Sequence, residues 1–363
     1  MKILLLAGEE SGIIYRNELK ARLEKAGHEV RGYDDWGFET HELAVFGILA
    51  VLARLPFFLK VKRVMCAAID EWRPDVLCTI DYPGMNLKLA QYAKKKGVRT
   101  VHVVCPQVWA WKKDRIPFIE RVIDSLCCFF PFEPSLFKKG LGVFVGHPLA
   151  YSFPERQYVE QGIVAALPGS RLGEIHHHLP TILEALSKLD GVKRIVIPAA
   201  NPAAKNAIEK ILAGYNGEKI NAPVEILDGK ARETLLYADV AIVASGTATL
   251  EAALARCPTV LVYKVDRFLA WFLRHAITGV KHVGLANIIW EKGGSKGPQP
   301  MPELLQEDFT AGNVAKILQD WLDNRDLHDK TAARLGEIVG SLKEGVSPIE
   351  NIFKIITSGN ETL

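Results

Sequence analysis

The chain of 363 residues is 48% hydrophobic and 24% charged, which suits two ordinary globular domains and excludes a disordered polymer. A formal net charge of +3 is too small to argue for nucleic acid, and no nucleic-acid partner is expected. Residues 1–150 hold 22 Lys and Arg against 17 Asp and Glu, so the N-terminal half is the side expected to meet something acidic.

In chain order, KILLLAG reads as a first strand and not as a signal peptide, because it runs straight into the turn GEESG (8–12) and a helical pattern. Glu9 stands where that helix begins, as a cap or as a catalytic carboxylate. After HEVRGYD, the stretch LAVFGILAVLARLPFFLKVKRVM (43–65) is apolar on nearly every face, yet only residues 43–53 lack a charge. That is far short of the roughly 20 apolar residues of a spanning helix. It is either a buried helix or a segment lying on a membrane, with Phe57, Phe58, Lys60, Lys62 and Arg63 toward lipid. DVLCTID ends in Asp81 before the turn YPGMN, where the carboxylate can hold the turn or act as a general base. RTVHVVC leads into PQVWAWKKDRI, with Trp109 and Trp111 beside cations. Core packing is expected for one tryptophan, and Trp109 is the candidate for acceptor or lipid contact. DSLCCFF reads as a further strand, and the polar LAYSFPERQYVEQG (149–162) as a hinge.

The second half repeats the alternation: IVAALPG, KRIVIPAA, VEILDG, DVAIVAS and PTVLVYK separated by helices, then helices only. Strands apolar on both faces and separated by helices imply parallel sheets covered on both sides. The fold class is therefore α/β, with two Rossmann-like doubly wound domains facing a cleft, at 1–155 and 156–340, and a terminal helix at 341–363.

Two turns in the second half follow one pattern, a buried strand, a glycine turn and a helix start. In LPGSR these are Gly169, Ser170 and Arg171; in VASGTATLEAAL they are Ser245, Gly246, Thr247 and Ala248, with Thr247 as the expected cap. Free N–H groups at helix starts, beside a guanidinium, suit a diphosphate, and Glu251 one turn on suits ribose hydroxyls. Structural strand-to-helix joints explain the same residues equally well. His176, His177 and His178 point about 100° apart on a helix, so they cannot close on one ion. They read as a solvated face, and no metal and no cofactor are expected. Six cysteines without a C-x-x-C pair read as buried thiols in a reducing cytoplasm.

GEESG, ELAVFG (42–47), IDYPGMN (80–86), PQVWAW (106–111), PFE (131–133), FVGHP (144–148), LPGSR, ILDG, ASGTATLE (244–251) and PELLQ (302–306) occur in an order that resembles the lipid-A-disaccharide synthase family. The resemblance implies a GT-B glycosyltransferase, with an acceptor-binding N-terminal domain, a UDP-sugar-binding C-terminal domain and terminal helices returning to the first. It implies transfer of 2,3-diacylglucosamine from UDP to 2,3-diacylglucosamine 1-phosphate, with inversion, release of UDP and no metal. Asp81 matches the family's essential aspartate, Arg171 its UDP-contacting arginine, and Asn287 in GLANI an asparagine of its donor site. The place of action implied is the cytoplasmic face of the inner membrane, with a homodimer left open. Ile13, Gly84 and Met85 depart from the family pattern, all in the acceptor half. Rival readings are another GT-B UDP-sugar enzyme, such as a peptidoglycan N-acetylglucosaminyltransferase or a UDP-sugar epimerase, and a non-catalytic nucleotide-sugar or lipid binder.

Overall fold

The computed structural model describes residues 1–8, 10–39, 54–156, 158–266, 279–295 and 297–358. Glu9 and the segments ELAVFG and 43–53 lie outside the described residues. The chain forms two compact units, Met1–Pro148 with Leu342–Leu363, and Leu149–Ser341.

The first unit is built on a six-stranded parallel sheet, β1 (Lys2–Ala7), β2 (Glu29–Arg31), β3 (Val76–Ile80), β4 (Arg99–Val103), β5 (Ser125–Cys128) and β6 (Gly142–Phe144), in the order β2-β1-β3-β4-β5-β6. Strands β1, β3 and β5 are almost wholly buried, as their unbroken apolar runs require. Its helices are α1 (Glu10–Lys25), α2 (Leu55–Trp72), α3 (Pro83–Lys95) and α4 (Ile116–Val122), followed by the short α5 (Pro148–Ser152) at the junction of the units. Helix α2 buries Phe58, Val61, Met65, Ala68, Ile69 and Trp72 at helical spacing, a stripe that packs on the sheet. No helix among the described residues is long and apolar enough to cross a membrane.

The second unit carries β7 (Ile163–Leu167), β8 (Arg194–Ala199), β9 (Val224–Asp228), β10 (Val240–Ala244), β11 (Thr259–Tyr263) and β12 (Glu303–Leu305), all parallel, in the order β12-β11-β10-β7-β8-β9. Helices α6 (Leu172–Leu186), α7 (Pro202–Ala213), α8 (Ala231–Tyr237), α9 (Thr247–Leu254), α10 (Leu285–Lys292), α11 (Ala311–Asp323) and α12 (Arg325–Ser341) cover it. Residues 149–162 belong to this unit: Arg156 donates to the carbonyls of Leu236, Ala238 and Arg256, and the Tyr158 hydroxyl to Asp239.

The last helix, α13 (Pro348–Ser358), rejoins the first unit. Ile349, Ile352, Ile355 and Ile356 enter the core formed by β1, β3 and β4. Arg99 donates to the carbonyls of Ile355 and Ile356, capping the end of the helix, and Asn351 donates to the carbonyl of Val145. Each sheet has one place where the strand order reverses, between β1 and β3 in the first and between β7 and β10 in the second. The loops leaving the carboxyl ends of those pairs diverge there, and ligands of such sheets bind in the opening.

Candidate active site

At the reversal point of the first sheet, β3 delivers Asp81. Asp81 and Tyr82 both have left-handed backbone, φ 53° and 50°, and Val104, which follows the neighbouring β4, has φ 75°. Such conformations are costly for residues with a Cβ, above all a β-branched one, and concentrate where the chain must aim a group. Surrounding bonds hold the turn: Asp81 N–H to the carbonyl of Val103 at 2.9 Å, and Asn86 Nδ2 to the carbonyls of Asp81 at 2.7 Å and Ile80 at 3.3 Å. The Tyr33 hydroxyl donates in turn to Asn86 Oδ1. Gly8 leaves room for Tyr82, since a Cβ on it would lie 2.4 Å from the Tyr82 Cβ. Asp81 Oδ1 accepts from Tyr82 N–H at 2.8 Å. Partial burial raises the Asp81 pKa, against the pull of that N–H. The residue thus holds its turn with one oxygen, and desolvation strengthens its basicity.

In the same unit, the PQVWAW and PFE motifs, which follow β4 and β5, are stitched together. Trp109 Nε1 donates to Glu133 Oε1 at 3.0 Å, and Phe130 N–H to Oε2 at 3.1 Å. Burial pushes the Glu133 pKa up to about 8. Cys105, Cys128 and Glu133 offer the one grouping among the described residues with spacing that an ion could use, their ligand atoms lying within 4.8 Å of one another. The three groups are already engaged: both thiols reach backbone carbonyls, Cys105 also bonds to Cys128 and Glu133, and both carboxylate oxygens accept N–H groups. Trp109, expected at lipid or acceptor, is only 3% exposed and packs against Phe130 and Phe132; the exposed member of the pair is Trp111. Phe58 is likewise in the core, against Phe57 and Tyr82, because it falls on the buried stripe of α2. The outward face at the start of that helix consists of Leu55, Leu59 and Arg63, at i, i+4 and i+8, with Lys60 also exposed; Phe57 and Lys62 are half-buried.

In the second unit both glycine turns lie at the β7/β10 reversal, but they differ. The start of α6 is already occupied by Glu174, which reaches back so that Oε2 accepts from the N–H groups of Ser170 at 3.2 Å and Arg171 at 3.4 Å. Its Oε1 accepts from Arg171 Nη1 at 2.8 Å. The expected open anion site over Gly169 and Ser170 is therefore filled by the chain's own carboxylate. Three residues past the cap, Glu174 has the spacing of a capping box, a sequence signal that finds it. Gly169, at φ 123°, makes this possible, since a Cβ would sit 2.6 Å from Glu174 Oε2.

The start of α9 is open. Gly246, at φ 152°, is itself the cap residue, Thr247 is the first helical residue and not the cap, and no side chain caps this end. Thr249 Oγ1 donates back to the carbonyl of Gly246 at 2.8 Å and fixes the turn. Ser245 and Ala248 are half-buried at its flanks. Glu251 is held by Arg232, Nε to Oε1 at 2.8 Å.

Two other expectations change. Asn287, the expected donor contact, is fully buried; its Nδ2 donates to the carbonyl of Met301 and to Glu303 Oε1, and its Oδ1 accepts from Met301 N–H. It holds the loop into β12, with both of its N–H donors spent on the protein. His178, read as part of a solvated face, is buried: Nδ1 bonds the carbonyl of Pro168 at 2.9 Å, and Nε2 accepts from Lys264 N–H at 3.0 Å. That tautomer pins the LPGSR loop to the end of β11, while His176 and His177 remain exposed.

A family model described as lipid-A-disaccharide synthetase matches residues 3–351. The chain belongs to that family. Lipid-A-disaccharide synthase of Chromohalobacter salexigens is 33% identical over 96% of this chain and 94% of its own, and that of Xylella fastidiosa 36% identical over 88% of each. Among solved structures, Acinetobacter baumannii MurG superposes with a TM-score of 0.60 at 15% identity, covering 98% of both chains. The UDP-GlcNAc 2-epimerase of Neisseria meningitidis superposes with 0.56 at 10% identity, covering 94% of this chain and 99% of its own. Those two likenesses establish the fold. A member of the lipid-A-disaccharide synthase family with two six-stranded parallel sheets is a GT-B glycosyltransferase of lipid A biosynthesis.

Proposed function

We propose that this synthase joins a UDP-activated 2,3-diacylglucosamine to 2,3-diacylglucosamine 1-phosphate with inversion at the anomeric carbon, and that Asp81 is its general base. The observation carrying this reading is Asp81 itself, a carboxylate on strained backbone at a sheet reversal, with burial raising its pKa toward that of a useful base. Asp81 takes the proton of the acceptor hydroxyl as that oxygen attacks the anomeric carbon and the bond to the UDP oxygen breaks. The donor belongs to the second unit: the first-turn N–H groups of α9 and the Arg171 guanidinium face the diphosphate and stabilise its growing negative charge. Glu251 receives the ribose hydroxyls on the oxygen that Arg232 leaves free. Glu9 stays a candidate for the acceptor side. Leu55, Leu59, Lys60 and Arg63 meet the cytoplasmic membrane surface, the leucines entering the headgroup boundary and the cations meeting lipid phosphates.

The test is Asp81→Asn, assayed for UDP release with both acylated substrates present. Turnover is expected to fall by ~10²–10⁴-fold, the usual share of a general base, with UDP affinity unchanged. Wild-type turnover in the variant removes Asp81 from the role. Equal use of unacylated UDP-N-acetylglucosamine overturns the donor assignment.

A further inference from the structure

We propose that Glu174 is a positioning residue for donor binding: it holds the Gly169–Arg171 loop and aims the Arg171 guanidinium at the diphosphate. The inference rests on the donor site proposed above and adds to it a residue that never touches the substrate. Arg171 lies at a loop tip with its side chain 82% exposed, a setting in which a long cation ordinarily samples many rotamers. Here one carboxylate fixes it from two sides. Glu174 Oε1 accepts from Nη1 at 2.8 Å, and Oε2 accepts from the backbone N–H groups of Ser170 and Arg171 itself. Main chain and side chain of the same arginine are thus tied to one group that is only 14% exposed and is seated on the first turn of α6.

The loop is shaped around that group. Gly169 adopts φ 123°, and a Cβ there would lie 2.6 Å from Glu174 Oε2 and 2.7 Å from its Cβ, so the glycine makes room for the carboxylate. One turn further along the helix, His178 holds the preceding residue, Pro168, through its carbonyl. With one guanidinium edge on Glu174, the exposed remainder keeps N–H donors for a second, planar or forked anion.

Charge alone works the other way. Glu174 brings a negative charge to the helix start, so removing it should tighten UDP binding if Glu174 acts only as a competing anion. The positioning role requires the opposite sign, which makes the experiment decisive. UDP affinity is measured by calorimetry for the wild type, Glu174→Gln, Arg171→Ala and the double variant, with thermal unfolding of each. Gln keeps one oxygen for the loop N–H groups and loses the charge that orients the guanidinium.

The expected result is a ~5–10-fold weaker UDP affinity in Glu174→Gln, the size expected when a charge-assisted bond that orders a ligand-binding group is lost. Its unfolding temperature should fall only slightly, by about 1–3 °C, for the charge lost at the helix start, and adding the substitution to Arg171→Ala should have no further effect on UDP affinity. Loss of that coupling would show a general structural role and overturn the proposal. So would UDP affinity in Glu174→Gln that equals or exceeds that of the wild type. Failure of the wild-type chain to bind UDP, in contrast, would sink the donor-site reading itself and the proposal with it.

Discussion

Glu133 is buried, with Trp109 Nε1 and the Phe130 N–H donating to its two oxygens, and its pKa of about 8 means that the folded chain carries it protonated at neutral pH. An exposed glutamate in the unfolded chain ionises at its ordinary value of 4.5. Between these limits the unfolded state releases a proton that the folded state keeps, so stability falls as pH rises. The contribution is fully present below pH 4.5 and is lost by about pH 8, at about 1.4 kcal/mol per pH unit. Glu133→Gln removes the titration and keeps a similar shape. Its amide oxygen can accept from Trp109 or from Phe130 but not from both, a fixed cost of about 1–3 kcal/mol for the donor left unpaired. The variant should therefore be less stable than the wild type at pH 5 and gain on it steadily by pH 8. Urea unfolding of both chains at pH 5, 6, 7 and 8, followed by tryptophan fluorescence, reads the difference directly. A difference that does not change with pH would mean that Glu133 is ionised in the fold, and would refute the desolvation argument.

Two more outcomes are expected. Replacing Leu55 and Leu59 by serine should weaken sedimentation with vesicles containing anionic phospholipid, whereas Phe58→Ser should instead lower the unfolding temperature, because Phe58 is core; undiminished vesicle binding in the leucine variant removes that face from the membrane. Gly246→Ala should weaken UDP binding, since no atom lies within 4 Å of the added methyl, yet φ 152° costs an alanine about 1–3 kcal/mol and the turn must shift; unaltered affinity would show that this helix start is not where the diphosphate sits.

Most of the fold was legible because a parallel strand buried on both faces leaves an unmistakable apolar run. Eight strands announce themselves in this way, from KILLLA to TVLVY, while the charged edge strands β2 (EVR) and β9 (VEILD) are marked only by their place between helices. The two strands not legible at all, β6 and β12, have three half-buried residues each and pair on one side only, so neither length nor hydrophobicity marks them. Side-chain roles were less legible than positions. Asp81 and Arg171 announce themselves by standing where strands end, yet sequence periodicity alone did not put Phe58 on the inner stripe of α2 or His178 under the LPGSR loop. Orientation about a helix axis and pairing between distant loops settle those. Asn287 shows the same limit: its partner Glu303 lies sixteen residues away on another strand, and only that contact reveals a loop-holding amide.

The return of α13 makes the second unit an insertion within the first. Four isoleucines that complete the first sheet's packing leave the ribosome after everything else in that core, so residues 149–341 can finish folding while their older neighbour still lacks its closing layer. During synthesis the half expected to meet lipid thus cannot close its core until residues 349–356 have emerged, and its apolar face waits for them.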